Sequence, residues 1–94
     1  MGLRFSWDPT KAASNARKHG VTFLEAATAF EDPLATMMRD PDRSIDEDRF
    51  LLQGVSYQGR LLVVAFAEED DGIRLISARP ATGRERRRHE EGHT

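Results

Sequence analysis

With 94 residues the chain has room for one core, so residues 1–94 read as a single domain, and 38% hydrophobic against 32% charged residues leave that core too thin to enclose a large catalytic cavity. The absence of cysteine excludes disulfides, thiolate zinc sites and cysteine nucleophiles together, and no run approaches the roughly 20 apolar residues of a membrane span, so the expected location is the cytoplasm. A net charge of -2 hides an uneven layout, with acids crowding the middle (Glu31, Asp32, Asp40, Asp42, Asp46, Glu47, Asp48) and Arg84, Arg86, Arg87 and Arg88 crowding the end.

In chain order, an extended start at Arg4 to Trp7 leads into Asp8-Pro9, an N-cap followed by a proline suited to the first helical position. The spacing predicts a helix from Pro9 to about Lys18, closed by Lys18 and His19 in the last turn and by Gly20. Thr22 and Glu25 have capping-box spacing, with Val21 able to staple onto Ala26. A second helix is therefore predicted from Phe23, its apolar stripe made by Phe23, Ala26, Ala27 and Phe30 and ended by Asp32-Pro33.

After Pro33 the period shortens. Leu34 to Arg39 reads as a strand and Asp40 to Asp48 as a polar loop. Arg49 to Tyr57, Leu61 to Glu68 and Ile73 to Arg79 follow as strands of an antiparallel meander, turned by Gln58-Gly59-Arg60 and Asp70-Asp71-Gly72. Leu61 to Ala67 is apolar on both faces, which makes it the central strand. Thr82 and Glu85 repeat the capping-box spacing and start a third helix, Gly83 to about Glu91, with almost no apolar face. The reading is an α+β domain: two N-terminal helices packed on a four-stranded, mainly antiparallel meander sheet, with a short C-terminal helix.

No residue set is a self-sufficient catalytic motif. His19, His89 and His93 lie at no metal-ligand spacing and no glycine loop cradles phosphate, so no metal and no cofactor is implied. Among the 14 basic residues only Lys11 and Lys18 are lysine. Arginine forks grip phosphate or carboxylate with two hydrogen bonds, although GC-rich coding would give the same skew. Lys18 and His19 suit helix capping as well as catalysis. Glu47 and Arg49 at a strand entry, Arg60 after a turn and Arg79 at a strand end could converge on a basic surface for single-stranded nucleic acid, or form a solvated rim of ion pairs. The run Arg84, Glu85, Arg86, Arg87, Arg88, His89 has the same two readings. Phe5 and Trp7 are expected in the core.

The order of these landmarks resembles the BrnT family of toxins. Residues 5–33, FSWDPTKAASNARKHGVTFLEAATAFEDP, carry an aromatic-x-Trp-Asp start, a Lys-His-Gly stop, a Phe-x-Glu-Ala helix and an Asp-Pro. Glu47-x-Arg49, Gly59-Arg60, the run Ile73 to Arg79, and Ala81 before Glu85-Arg86 complete the pattern. Where the family pattern carries a ring after Glu85-Arg86, this chain has Arg87-Arg88-His89.

The resemblance implies a RelE-like fold, RNA cleavage that suppresses translation, and neutralisation by a BrnA-type ribbon-helix-helix antitoxin, with operator DNA engaged only through that antitoxin. Arg60 and Arg79, then Arg49 and Arg86, are the expected phosphate-stabilising catalytic residues. His19, Glu47, Glu85 or His89 is expected to transfer the protons, with no ranking among them, and Lys18, Arg84, Arg87, Arg88 and His89 are the expected RNA-binding set. A non-catalytic antitoxin-binding module that co-regulates its own operon is the alternative.

Overall fold

The computed structural model describes residues 3–40 and 48–92. Glu47, His93 and most of the expected Asp40 to Asp48 loop lie outside the described residues. The elements are β1 (Phe5–Ser6), α1 (Pro9–His19), α2 (Phe23–Thr28) running into a 3-10 turn (Ala29–Glu31), β2 (Thr36–Arg39), β3 (Arg49–Val55), β4 (Leu61–Glu69), β5 (Gly72–Pro80) and α3 (Gly83–Glu91).

Local chemistry sets the helix ends. Asp8 accepts from Thr10 N at 2.9 Å, Pro9 opens α1, and Gly20, left-handed at φ 69°, donates its N–H to Ala16 O. α2 is shorter than its apolar stripe, because the backbone tightens at Ala29–Glu31 before Pro33. β2 starts at Thr36 rather than Leu34. Asp32 holds the preceding turn, its Oδ1 accepting from Leu34 N at 2.9 Å and its carbonyl from Ala35 N at 3.0 Å.

The sheet has five strands in the order β1-β5-β4-β3-β2 and is mixed. This corrects the four-stranded expectation: the extended start forms β1, parallel to β5, with Phe5 opposite Ile73 and Ser6 opposite Arg74. A two-residue strand has no period to read, and its partner lies far along the chain. Gly72 permits the approach, since a Cβ there would collide with the Arg4 carbonyl, which accepts from Ile73 N at 2.8 Å. β4 is central, as its double-sided apolar run predicts.

A bulge between Ala65 and Phe66 shifts the register, so that Ala65 faces Ser77 while Phe66 faces Leu75. Ile76 is the extra residue, and beyond it the inward phase of β5 changes, from Ile73 and Leu75 to Ala78.

The two faces of the sheet are unequal. α1, α2 and the 3-10 turn cover one face, burying Val21, Phe23, Ala26, Leu62, Val64, Phe66 and Leu75. Aromatic edges knit this side: Phe30 meets Phe5 at 5.1 Å and Phe66 at 5.0 Å, and Trp7 meets Phe23 at 5.9 Å. On the opposite face a small cluster of Leu61, Val63 and Ala81, with Leu51 against it, underlies α3. α3 itself buries no residue. The helices therefore form two layers of very different grip.

Candidate functional site

The turn between β3 and β4 is stitched to α2 and the segment after it by side chains. Tyr57 N donates to Thr28 Oγ1 at 2.9 Å, Val55 N to Asp32 Oδ2 at 2.8 Å, and Ser56 Oγ to Glu25 Oε2 at 2.7 Å. Two backbone bonds close the turn, Ser56 N to Arg60 O and Gly59 N to Ser56 O, both at 2.8 Å. This is why β3 ends at Val55 rather than Tyr57.

Arg60 leaves this turn and clamps Glu25. Its Nε donates to Glu25 Oε2 at 2.9 Å, its Nη2 to Glu25 Oε1, and Nη2 also reaches the Gly20 carbonyl at 3.0 Å. The Arg60 hydrogen bonds pull the Glu25 carboxyl below its ordinary range, against the upward push of burial, with Ser56 helping. The bidentate edge expected for phosphate is thus turned to a buried carboxylate. Among the described residues, none of the Arg60 contacts uses Nη1.

Arg79 is engaged in the same way. It faces up from β5 beside Val63 and gives Nη1 and Nη2 to Glu85 Oε1 and Oε2 at 2.8 and 2.9 Å. Glu85 Oε1 also accepts from Thr82 N at 2.9 Å, completing the α3 capping box. Arg79 above all lowers the Glu85 carboxyl from its ordinary 4.5 to about 2. Glu85 is therefore ionised at neutral pH and a poor acceptor of a proton.

Between the β3–β4 turn and α3 lies a depression of about 390 Å³, lined by Arg60, Arg86, His89 and Glu90 with an apolar floor of Val55, Leu61 and Pro80. His89 is half-buried with its Nδ1 enclosed, and it also lines a second groove with Met37, Met38, Leu51 and Arg88 on the other side of α3.

The fold brings together Arg60, Arg86 and His89 of the sequence-predicted residues, with the Arg79–Glu85 pair anchoring α3 beside them. Arg84, Arg87 and Arg88 are exposed on α3. Lys18 and His19 end α1, whose closing Gly20 carbonyl meets Arg60. Arg49 stands at the opposite end of β3 from Val55 and does not join the depression. Glu25, Ser56 and Glu90 were not expected in the site. Glu25 was visible only as a capping residue, and nothing local marked it as a partner for Arg60, 35 positions on. Among the described residues, no group of three or more His, Cys, Asp or Glu gathers as a metal site, and no helix is long and apolar enough to cross a membrane.

Residues 7–85 match the family described as ribonuclease toxin, BrnT, of type II toxin-antitoxin systems. No curated protein matches the sequence significantly. The fold is similar to the 1.1 Å crystal structure of the Brucella abortus ribonuclease toxin BrnT, with a TM-score of 0.65 and 26% identity over 85% of this chain and 97% of that one.

Proposed function

The chain belongs to the BrnT family of type II toxin–antitoxin ribonuclease toxins, and from that premise we propose that it cuts RNA in the depression between the β3–β4 turn and α3, suppressing translation in the cytoplasm until a BrnA-like antitoxin neutralises it. The observation that carries this reading is the convergence of two arginines from distant segments, Arg60 and Arg86, with the His89 imidazole on one shallow surface. An open depression suits a single RNA strand better than a small substrate.

The reaction uses the ribose 2′-hydroxyl as nucleophile. Its oxygen forms a bond to the adjacent phosphorus while the bond from phosphorus to the 5′-oxygen breaks, leaving a 2′,3′-cyclic phosphate. His89 takes the hydroxyl proton, the departing 5′-oxygen is protonated from solvent, and the arginines stabilise the charge that builds on the non-bridging oxygens. Arg79 acts at one remove, because both of its terminal nitrogens already donate to Glu85. No divalent cation enters this scheme, and the antitoxin alone carries the contact with operator DNA.

The test is cleavage of an oligoribonucleotide by the purified chain, with and without a chelator, beside Arg86→Gln and His89→Ala. Each variant is expected to lose about 10²–10³-fold in rate, the usual cost of one transition-state donor or one general base, while the wild type is unaffected by chelation. Intact RNA with folded wild-type protein would overturn the reading in favour of a non-catalytic antitoxin-binding module. Cleavage that chelation abolishes would overturn the metal-free scheme alone.

A further inference from the structure

We propose that Glu25 is the positioning residue of the site, fixing Arg60 so that its one uncommitted corner, Nη1, meets the RNA phosphate. The inference rests on the reading of the depression as an RNA site, and it names the residue on which that site depends.

The argument starts from burial. Glu25 is 2% exposed, and a carboxylate that deep has to be paired and hydrogen-bonded. Both of its oxygens are used: Oε1 takes Arg60 Nη2, while Oε2 takes Arg60 Nη2's neighbour Nε and the Ser56 hydroxyl. Glu25 in turn is set at the start of α2, where its N–H donates to Thr22 Oγ1 at 3.1 Å. The guanidinium plane is therefore fixed along one edge by a buried acceptor, and at Nη2 also by the Gly20 carbonyl at 3.0 Å.

An exposed arginine samples many rotamers and loses that freedom when it binds. Arg60, with 37% of its side chain exposed, has lost the freedom already. What it keeps for a ligand, among the described residues, is Nη1, and its side chain lines the depression together with Arg86 and His89. Lysine at position 60 could not do both jobs, since one ammonium cannot occupy the carboxylate edge and the phosphate corner together. Ser56 supports the arrangement from the other side of Oε2, and its own oxygen accepts from Gln58 N at 3.2 Å within the turn.

Two measurements on the full chain test the proposal, at a temperature where circular dichroism shows every variant folded. In the first, Glu25→Gln keeps the shape and removes the charge, and it is expected to lower kcat for an oligoribonucleotide about tenfold while KM stays within about twofold, the mark of lost orientation. Free guanidinium at millimolar concentration is expected to restore part of the activity of Arg60→Ala and none of that of the variant combining Arg60→Ala with Glu25→Gln, because the ion docks on the Glu25 carboxylate. Wild-type kcat in Glu25→Gln, or equal rescue with and without the carboxylate, overturns the proposal.

The second measurement does not need cleavage. The Arg60 side-chain nitrogen resonances are followed by NMR while an uncleavable 2′-O-methyl oligonucleotide is added. A shift in the wild type that disappears in Glu25→Gln supports the positioning role. A shift of equal size in both, or none in the wild type, overturns it. Should the chain bind the oligonucleotide through Arg60 yet cleave nothing, the ribonuclease reading fails while the positioning role of Glu25 stands.

Discussion

On the α1–α2 side of the sheet, Glu25 turns its carboxylate away from its own helix start and toward Arg60 and Ser56. On the α3 side, Glu85 keeps the Thr82 N–H and accepts Arg79 as well. Both begin from the same Thr-x-x-Glu spacing, and in both the threonine hydroxyl accepts from the glutamate N–H at 3.1 Å. The difference is depth. Glu25 sits against a packed face, where a carboxylate needs a full set of donors and takes them from another part of the chain. Glu85 has 26% of its side chain exposed, so solvent completes its shell and the local bond survives. One face of the sheet is therefore joined by long-range polar ties, and the other carries a helix with no buried residue, anchored by its own cap and the Arg79–Glu85 pair among other contacts.

The comparison breaks most visibly at Asn15, the only buried residue of α1. Its amide donates to Val21 O at 3.0 Å and Ala78 O at 2.8 Å and accepts from Ala78 N at 3.0 Å, so it joins both helices' connection to β5. Asn15→Ala strands these buried groups and is expected to cost about 3 kcal/mol, read as a lower urea midpoint for the whole domain. A loss below about 0.5 kcal/mol would mean that apolar packing, not polar ties, holds this face.

Acid should weaken the Glu85 tie next. The folded carboxyl titrates at about 2 against an ordinary 4.5, so its stabilisation is complete above the higher value and drains away as pH falls toward the lower one. Discounted for part exposure, the contribution is about 1.5 kcal/mol. Glu25 is depressed in the same direction, so Glu85→Gln should remove only part of the stability difference between about pH 5.5 and about pH 3. An unchanged difference would place all of the acid sensitivity elsewhere.

The smallest effect sharpens the contrast. Thr82→Ala deletes the α3 cap at a cost of about 1 kcal/mol, and on a helix with no buried residue that loss should appear as faster amide exchange in α3 while β4 and β5 stay protected. Faster exchange across the whole sheet would show α3 to be part of the global cooperative unit.

Much of the fold was legible residue by residue. Asp8-Pro9 and Gly20 bound α1 as expected, Asp70-Asp71-Gly72 turns β4 into β5, and Leu61 to Ala67 occupies the centre of the sheet. The polar composition of α3 correctly predicted a surface helix. Of the site, the gathering of Arg60, Arg86 and His89 was foreshadowed by their residue types and by the family pattern, while their roles were not. Arg60 and Arg79 were expected to present bidentate edges to phosphate, and both edges are occupied by carboxylates. Arg49 is grouped with them as a residue at a strand entry, but the register of β3 against β4 carries it to the other end of the sheet.

The sequence alone determined what depends on neighbours a few residues away: caps, turn glycines, the apolar stripe of α2 and the double-sided apolar run of β4. Those signals act within one turn of helix or one hairpin, where the chain has little freedom to place a residue elsewhere. The tertiary structure decided the parallel pairing of β1 with β5, the bulge that resets the inward phase of β5, and the choice of Glu25 as partner for Arg60. Each joins segments that only the finished core holds side by side, and a buried charge or an unpaired edge takes its partner from whatever the packing delivers.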